Sequence, residues 1–257
     1  MPAAELRTLI ETQVENRLGG RFPAPLGWRQ KTASQTAPTG IAEVDALTGG
    51  LPRGALTEVY GPASSGRTAL VFSLLAEFTR HQELCALLDA DDSFDPASAA
   101  AVGVELGRLL WVRCEKAAGS RRLAAGSKSS DKNLCNVDCA LRAADLVLQA
   151  GGFGLVVLDL GDVPAATARR VPLASWFRFR RAVEDTPASL LLLTPEALTG
   201  TCAALTLKLE ATAPAEETTL PAHARRLGGF SVTVEVARSA SPRRPGSGMK
   251  TAFATGL

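Results

Sequence analysis

Residues 61–68 read GPASSGRT, that is Gly61, Pro62, Ala63, Ser64, Ser65, Gly66, Arg67 and Thr68. The spacing is that of a phosphate-binding loop, GxxxxGK[ST], with arginine in the lysine position. Such a loop is a tight turn between a buried strand and a helix. It faces backbone N–H groups inward and adds the positive end of the helix. Gly61 and Gly66 supply permissive backbone, and Thr68 stands where a hydroxyl meets Mg²⁺. The ligand this frame suggests is ATP or ADP with Mg²⁺. Arg67 is the departure. Lysine reaches terminal phosphates as a slim point charge, whereas guanidinium is broad and planar, so the exchange is not conservative at a crowded site. Fast hydrolysis is not expected, because turnover depends on charge placed accurately against the transferring phosphoryl group.

Two acidic features accompany the loop. Asp159 ends the apolar run GLVVLD, where a carboxylate that orients Mg²⁺ would stand; capping of a following helix is the alternative. In LLDADDSFDP (87–96), Asp89, Asp91, Asp92 and Asp95 crowd behind another apolar run. Either one of them orients an attacking water or all four belong to a solvated turn.

These side chains need a frame. Strands are expected over LTEVY (56–60), LCALLDA (84–90), LLWVRC (109–114), FGLVVLDL (153–160) and SLLLLT (189–194). Helices are expected over 68–80, 137–150 and 172–185, with a Ser/Lys/Gly-rich loop before the second. Short apolar strands alternating with helices imply a parallel sheet with right-handed crossovers, an α/β fold. AALTLKLEA (203–211), GFSVTVEVAR (229–238) and KTAFAT (250–255) follow without helices. They are read as late antiparallel strands that extend a mostly parallel twisted sheet with flanking helices, the alternating 231–236 suiting an antiparallel edge.

Residues 3–18 place Leu6, Leu9, Ile10, Val14 and Leu18 at helical spacing, and 19–40 is rich in Gly, Pro, Ser and Thr. The expected division is an arm of helix and linker (1–38) and a core domain (39–257). The arm is a candidate for self-association or docking on a partner, or a helix folded back on its own core.

The chain of 257 residues is 46% hydrophobic and 21% charged, without an apolar stretch long enough for a membrane helix. Its start lacks the basic head and greasy centre of a secretory signal, so a cytoplasmic location and no membrane partner are expected. A net charge of +2 does not by itself argue for nucleic acid. The charge is uneven, however, with ten acids against three bases over 43–105 and basic residues gathered over 113–132 and 238–250. Cys85, Cys114, Cys135, Cys139 and Cys202 read as free thiols rather than metal ligands, since only His81 and His223 accompany them. The stretch from Trp176 to Arg181 mixes aromatics with cations, as surfaces for nucleic acid do, but Trp176, Phe179 and Val183 share one helical face, which favours core packing.

TGIAEVDALTGGLPRGALTEVYGPASSGRTAL (39–70) resembles the opening of the RecA recombinase core, CALLDADDSFDPASAAAVGVELGRLLWVR (85–113) its next block, and GLVVLDL its Walker-B strand. The resemblance covers about 39–160 and implies a RecA-like P-loop fold. It places Asp91, one methylene shorter, at the family's catalytic glutamate. The polar Asn-Gln ending of the next core strand is replaced by LLLLTPEALTGTCAAL (190–205), and the first DNA-binding loop by GDVPAATARRVPLASWF (161–177). Lysine, glutamate and sensor glutamine are thus all changed.

A shorter chain of this kind, carrying SWFRFRRAVEDTPASLLLLTPEALTGTCAALTLKLE (175–210), is similar to the ImuA family, which includes relatives of the division inhibitor SulA. That resemblance implies an accessory role in damage-induced translesion synthesis. The implied partners are a Y-family-like ImuB protein, an error-prone polymerase and RecA. A DNA-dependent ATPase and a SulA-like division inhibitor are the alternatives. Arg178, Arg181, Arg243 and Arg244 are candidates for contacts with DNA or a neighbouring subunit, and any binding of single-stranded DNA is expected to be weak, sequence-independent and salt-sensitive.

Overall fold

The structure, a computed structural model, describes residues 35–114, 129–216, 227–239 and 248–255. The expected N-terminal helix, Arg243 and Arg244 lie outside these residues. Gln35–Leu257 forms one compact unit.

A short antiparallel pair, β1 (Thr36–Ala37) and β2 (Leu51–Pro52), brackets helix α1 (Ala42–Thr48). β3 (Ala55–Tyr60) then runs into the 61–68 loop and helix α2 (Arg67–Arg80). After β4 (Cys85–Asp89) come α3 (Pro96–Ala101), a single 3₁₀ turn and β5 (Leu109–Arg113). Helix α4 (Ser129–Ala150), β6 (Leu155–Asp159), α5 (Ala165–Ala168), α6 (Leu173–Val183) and β7 (Ser189–Thr194) complete the alternating part. β8 (Leu205–Glu216), β9 (Leu227–Ser239) and β10 (Lys250–Thr255) follow.

The eight-stranded sheet has the order β10-β9-β8-β3-β7-β6-β4-β5. β8 pairs parallel with β3, β9 runs antiparallel between β8 and β10, and β10 therefore points the same way as β8. The late strands extend the sheet, but only β9 is reversed, and the expected antiparallel character fails for β8, which joins the parallel part. Central strands bury both faces. In β7, Leu191 and Leu193 pack with α2, while Leu190 and Leu192 pack against α4 and α6. This two-residue alternation explains why the strands read as unbroken apolar runs.

On one face α2 buries Leu70, Val71, Leu74, Leu75 and Phe78, a stripe at helical spacing. On the other, α4 buries Val137, Ala140, Ala144 and Val147. α4 starts at Ser129, earlier than the expected 137, because its first polar turns continue a helix whose apolar stripe begins only at Val137. In α6, Trp176, Phe179 and Val183 are buried while Phe177 is exposed, which settles the aromatic segment in favour of packing for the first two rings. Cys85, Cys114 and Cys202 are buried; Cys135 and Cys139 are exposed.

Candidate functional site

The 61–68 loop joins the tip of β3 to the start of α2 at the carboxyl ends of the parallel strands, where open α/β sheets hold their ligands. Ser64 has φ 61° and Gly66 φ 91°, both left-handed, so the loop makes the tight reversal its glycine spacing demanded. Val232 of β9 packs so closely on Gly66 that an added Cβ would collide with it. Pro62, Ala63, Ser64 and Thr68 are exposed, Gly61 and Ser65 are buried, and Gly66 is half-buried.

Arg67 is buried, and its guanidinium runs across the sheet ends. Its Nη1 donates to the carbonyl oxygens of Gly161 at 2.7 Å and Thr194 at 3.1 Å, and its Nη2 to Asp162 Oδ1 at 3.3 Å. Thr194 O also accepts from Gly61 N at 3.4 Å. The loop is therefore fastened at both ends to the same carbonyl at the tip of β7.

Asp159 ends β6, in register with Asp89 on β4. It accepts from Gly161 N at 2.8 Å. Burial pushes its carboxyl up to about 7; Gly161 N–H and Arg67 oppose the rise, and Asp89 and Asp162 add to it. Asp91 is half-buried, and its carboxyl is pushed up to about 6 by burial, then by Asp162 and Asp89.

The remaining acids of the 87–96 cluster serve the local fold. Buried Asp89 accepts from the backbone N–H of Asp91 (3.3 Å), Ser93 (3.1 Å) and Phe94 (3.0 Å) and from Trp111 Nε1 (3.2 Å). Asp92 makes a two-pronged pair with Arg113 at 2.6 and 2.5 Å. Asp95 caps α3 by accepting from Ala97 N and Ser98 N. Phe94 stands edge-on to both Phe72 and Trp111, which seats the turn on α2 and β5.

Beyond the strand tips, the segment that follows β7 is held by a residue outside the expected set. Glu58 of β3 is buried and accepts from Leu198 N at 2.6 Å, Thr199 N at 3.2 Å and Thr199 Oγ1 at 2.6 Å. Arg238 donates to Gly200 O. An acid inside a strand buried on both faces was the signal for Glu58. Gly161, Asp162 and Thr194 carried no comparable signal, because two of them act through backbone carbonyls.

Arg178 and Arg181 lie on α6, across the sheet from α2, so they are not part of the loop site. Arg178 is paired with Asp145 at 2.9 and 2.7 Å and lies over Phe179.

The model of the RecA N-terminal domain matches residues 6–125. Protein RecA of Deinococcus radiodurans is 31% identical over 172 residues, covering 65% of this chain and 41% of the relative. Protein RecA of Prochlorococcus marinus (strain NATL1A) is 39% identical over 163 residues (63% and 37%), and that of Nostoc punctiforme 38% over 104 residues (40% and 29%). The core is RecA-like. The chain spans about two fifths or less of the length of these curated relatives.

Within this RecA-like core the loop backbone keeps the shape of a phosphate cradle, but the side chains do not fit a Mg²⁺-nucleotide hydrolysis centre. Position 67 holds no lysine, the arginine in its place is committed to protein carbonyls, and Asp159 carries a carboxyl raised to about 7 beside an N–H donor. No helix among the described residues is long and apolar enough to cross a membrane.

Proposed function

We propose that this chain is a RecA-like accessory protein that works through protein–protein contacts and not through ATP turnover. The observation that carries this reading is the commitment of Arg67 to Gly161 O and Thr194 O, which withdraws the loop's cation from any phosphate. Following the ImuA resemblance, the setting is bacterial damage-induced translesion synthesis. A Y-family-like ImuB protein, an error-prone polymerase and RecA are the protein partners. Residues 1–38 serve as the docking or self-association arm, and single-stranded DNA is at most a weak, non-specific ligand. ATP or ADP with Mg²⁺, if held, sits on Gly61–Thr68 and Asp159 without being turned over, with Asp91 as the degenerate catalytic acid.

The test mixes the full chain with RecA and with a Y-family-like polymerase subunit, with and without Mg²⁺-ATP, and reads complex mass by light scattering alongside phosphate release with single-stranded DNA. Complexes that form equally with and without nucleotide, at background turnover, are the expected result. Turnover stimulated by DNA would instead favour a DNA-dependent ATPase, the second reading, which rests on the similarity to proteins named RecA.

A further inference from the structure

Gly161 has an ordinary backbone conformation, so its identity is not explained by φ. Space explains it. A Cβ built there would lie 2.8 Å from Arg67 Nη1, 3.1 Å from Arg67 Cζ and 3.0 Å from Asp159 Oδ1. A slimmer side chain at position 67 would open the Arg67 side of that space and leave only the Asp159 oxygen near it. The guanidinium and the missing side chain are matched to each other, and the carbonyl of the same glycine accepts the shortest of the arginine's hydrogen bonds at 2.7 Å.

The charge is matched as well. A buried guanidinium is costly unless hydrogen bonds and counter-charges surround it. Arg67 has two carbonyls at the ends of neighbouring strands, Asp162 at 3.3 Å, and Asp159 on the far side of Gly161. Without Arg67, the hydrogen bond from Gly61 N to Thr194 O would remain between the loop and the tip of β7.

We propose that Arg67 is a resident cation: its guanidinium closes the loop onto the carbonyl ends of β6 and β7 in the place of a metal–nucleotide complex, and Gly161 is the residue that makes room for it. The guanidinium is then satisfied without ligand, while the buried Ser65 hydroxyl of the same loop keeps no partner. α2, through Arg67, is locked to the strand tips from which the 161–172 and 195–204 segments leave. The loop is held here in one state by its own side chain. This inference rests on the local geometry and not on the choice of protein partners.

Thermal unfolding of the full chain tests it with Gly161→Ala made in the wild-type, Arg67→Lys and Arg67→Ala backgrounds. With Arg67 present, the added methyl meets the guanidinium, and the melting temperature should fall by about 5 °C or more. With lysine or alanine at 67 the methyl keeps only its contact with Asp159 Oδ1, and the fall should shrink to about half or less. Equal losses in all backgrounds would overturn the pairing. If Arg67→Ala does not fold, the lysine background alone decides the comparison. A second readout is the wild-type melting temperature in millimolar Mg²⁺-ATP. No shift is expected, and a saturable rise would show that nucleotide enters the closed site and sink the proposal. Loss of partner binding with these results intact would count against the accessory role alone.

Discussion

Asp89 and Asp159 stand side by side at the ends of adjacent parallel strands, yet their carboxylates meet opposite surroundings. Asp89 is buried and collects three backbone N–H donors and an indole N–H, while Asp159 has the single N–H of Gly161 and a carboxyl raised to about 7. Neighbouring tips of one sheet thus hold one carboxylate that organises a turn and one close to protonation. The difference is set by how the chain leaves each strand. After Asp89 it folds back over the carboxylate; after Asp159 it moves off toward Arg67.

The raised carboxyls have a signed consequence for stability. A folded-state pKa above the unfolded one means that the native protein holds a proton the unfolded chain has released. The contribution is therefore most favourable in acid and is lost as pH rises from the unfolded value toward about 6 for Asp91 and about 7 for Asp159. Asp159→Asn keeps an oxygen for Gly161 N–H and removes this titration. The variant should melt higher than wild type near pH 8, with the gap closing by about pH 4. Melting curves across that range check it, and a gap that does not vary with pH counts against the assignment.

Glu58 fixes the segment that follows β7 from inside the sheet. Glu58→Ala would leave Leu198 N, Thr199 N and the Thr199 hydroxyl without their acceptor, at a cost of about 3 kcal/mol. Glu58→Gln should recover much of the loss, because its amide oxygen can accept from Leu198 N and Thr199 N as Oε1 does, and its NH₂ can donate to the Thr199 hydroxyl. Urea unfolding gives the magnitude. Hydrogen exchange should show the Leu198 and Thr199 amides losing protection ahead of the sheet.

The acidic turn after β4 separates buried from exposed charge. Asp89→Ala removes the acceptor of four donors, one of them Trp111 Nε1, and should cost about 3 kcal/mol. Asp92→Ala removes a pair to Arg113 whose arginine is half exposed and solvent-screened, and should cost much less than Asp89→Ala. Urea unfolding of the two variants ranks them, and reversed costs would refute this division of roles.

Much of this was legible from residue order. The GPASSGRT frame fixed a strand on one side and a helix on the other, and β7 and β10 fall on the expected residues because apolar runs flanked by Pro, Gly and charge leave little choice of boundary. The parallel pairing of β8 was harder to read, since alternation gives a strand's faces but not the direction of its neighbour. Most hidden was the destination of Arg67. Its partners are carbonyls at positions 161 and 194, far away in sequence, and any residue type supplies a carbonyl. Glu58 was exposed to inference by its type, an acid where both strand faces are apolar, but its partners at 198 and 199 were not.

Helix α6 carries the last prediction, because its aromatic and basic residues divide by face. Phe179 is fully buried in the α4–α6 side of the core, so Phe179→Ala should cost about 3–5 kcal/mol. Phe177 is 46% exposed, and Phe177→Ala should change stability by less than about 0.5 kcal/mol. Arg178 is paired with Asp145 and stacked on Phe179, whereas Arg181 is exposed one turn from Phe177. If this surface meets single-stranded DNA, Arg181→Glu should weaken binding in low salt more than Arg178→Glu, since the Arg178 charge is already compensated. Fluorescence anisotropy across a salt series reads both variants. Binding that is unchanged by either substitution removes α6 from the nucleic-acid surface and leaves Arg178 to hold α4 and α6 together through Asp145.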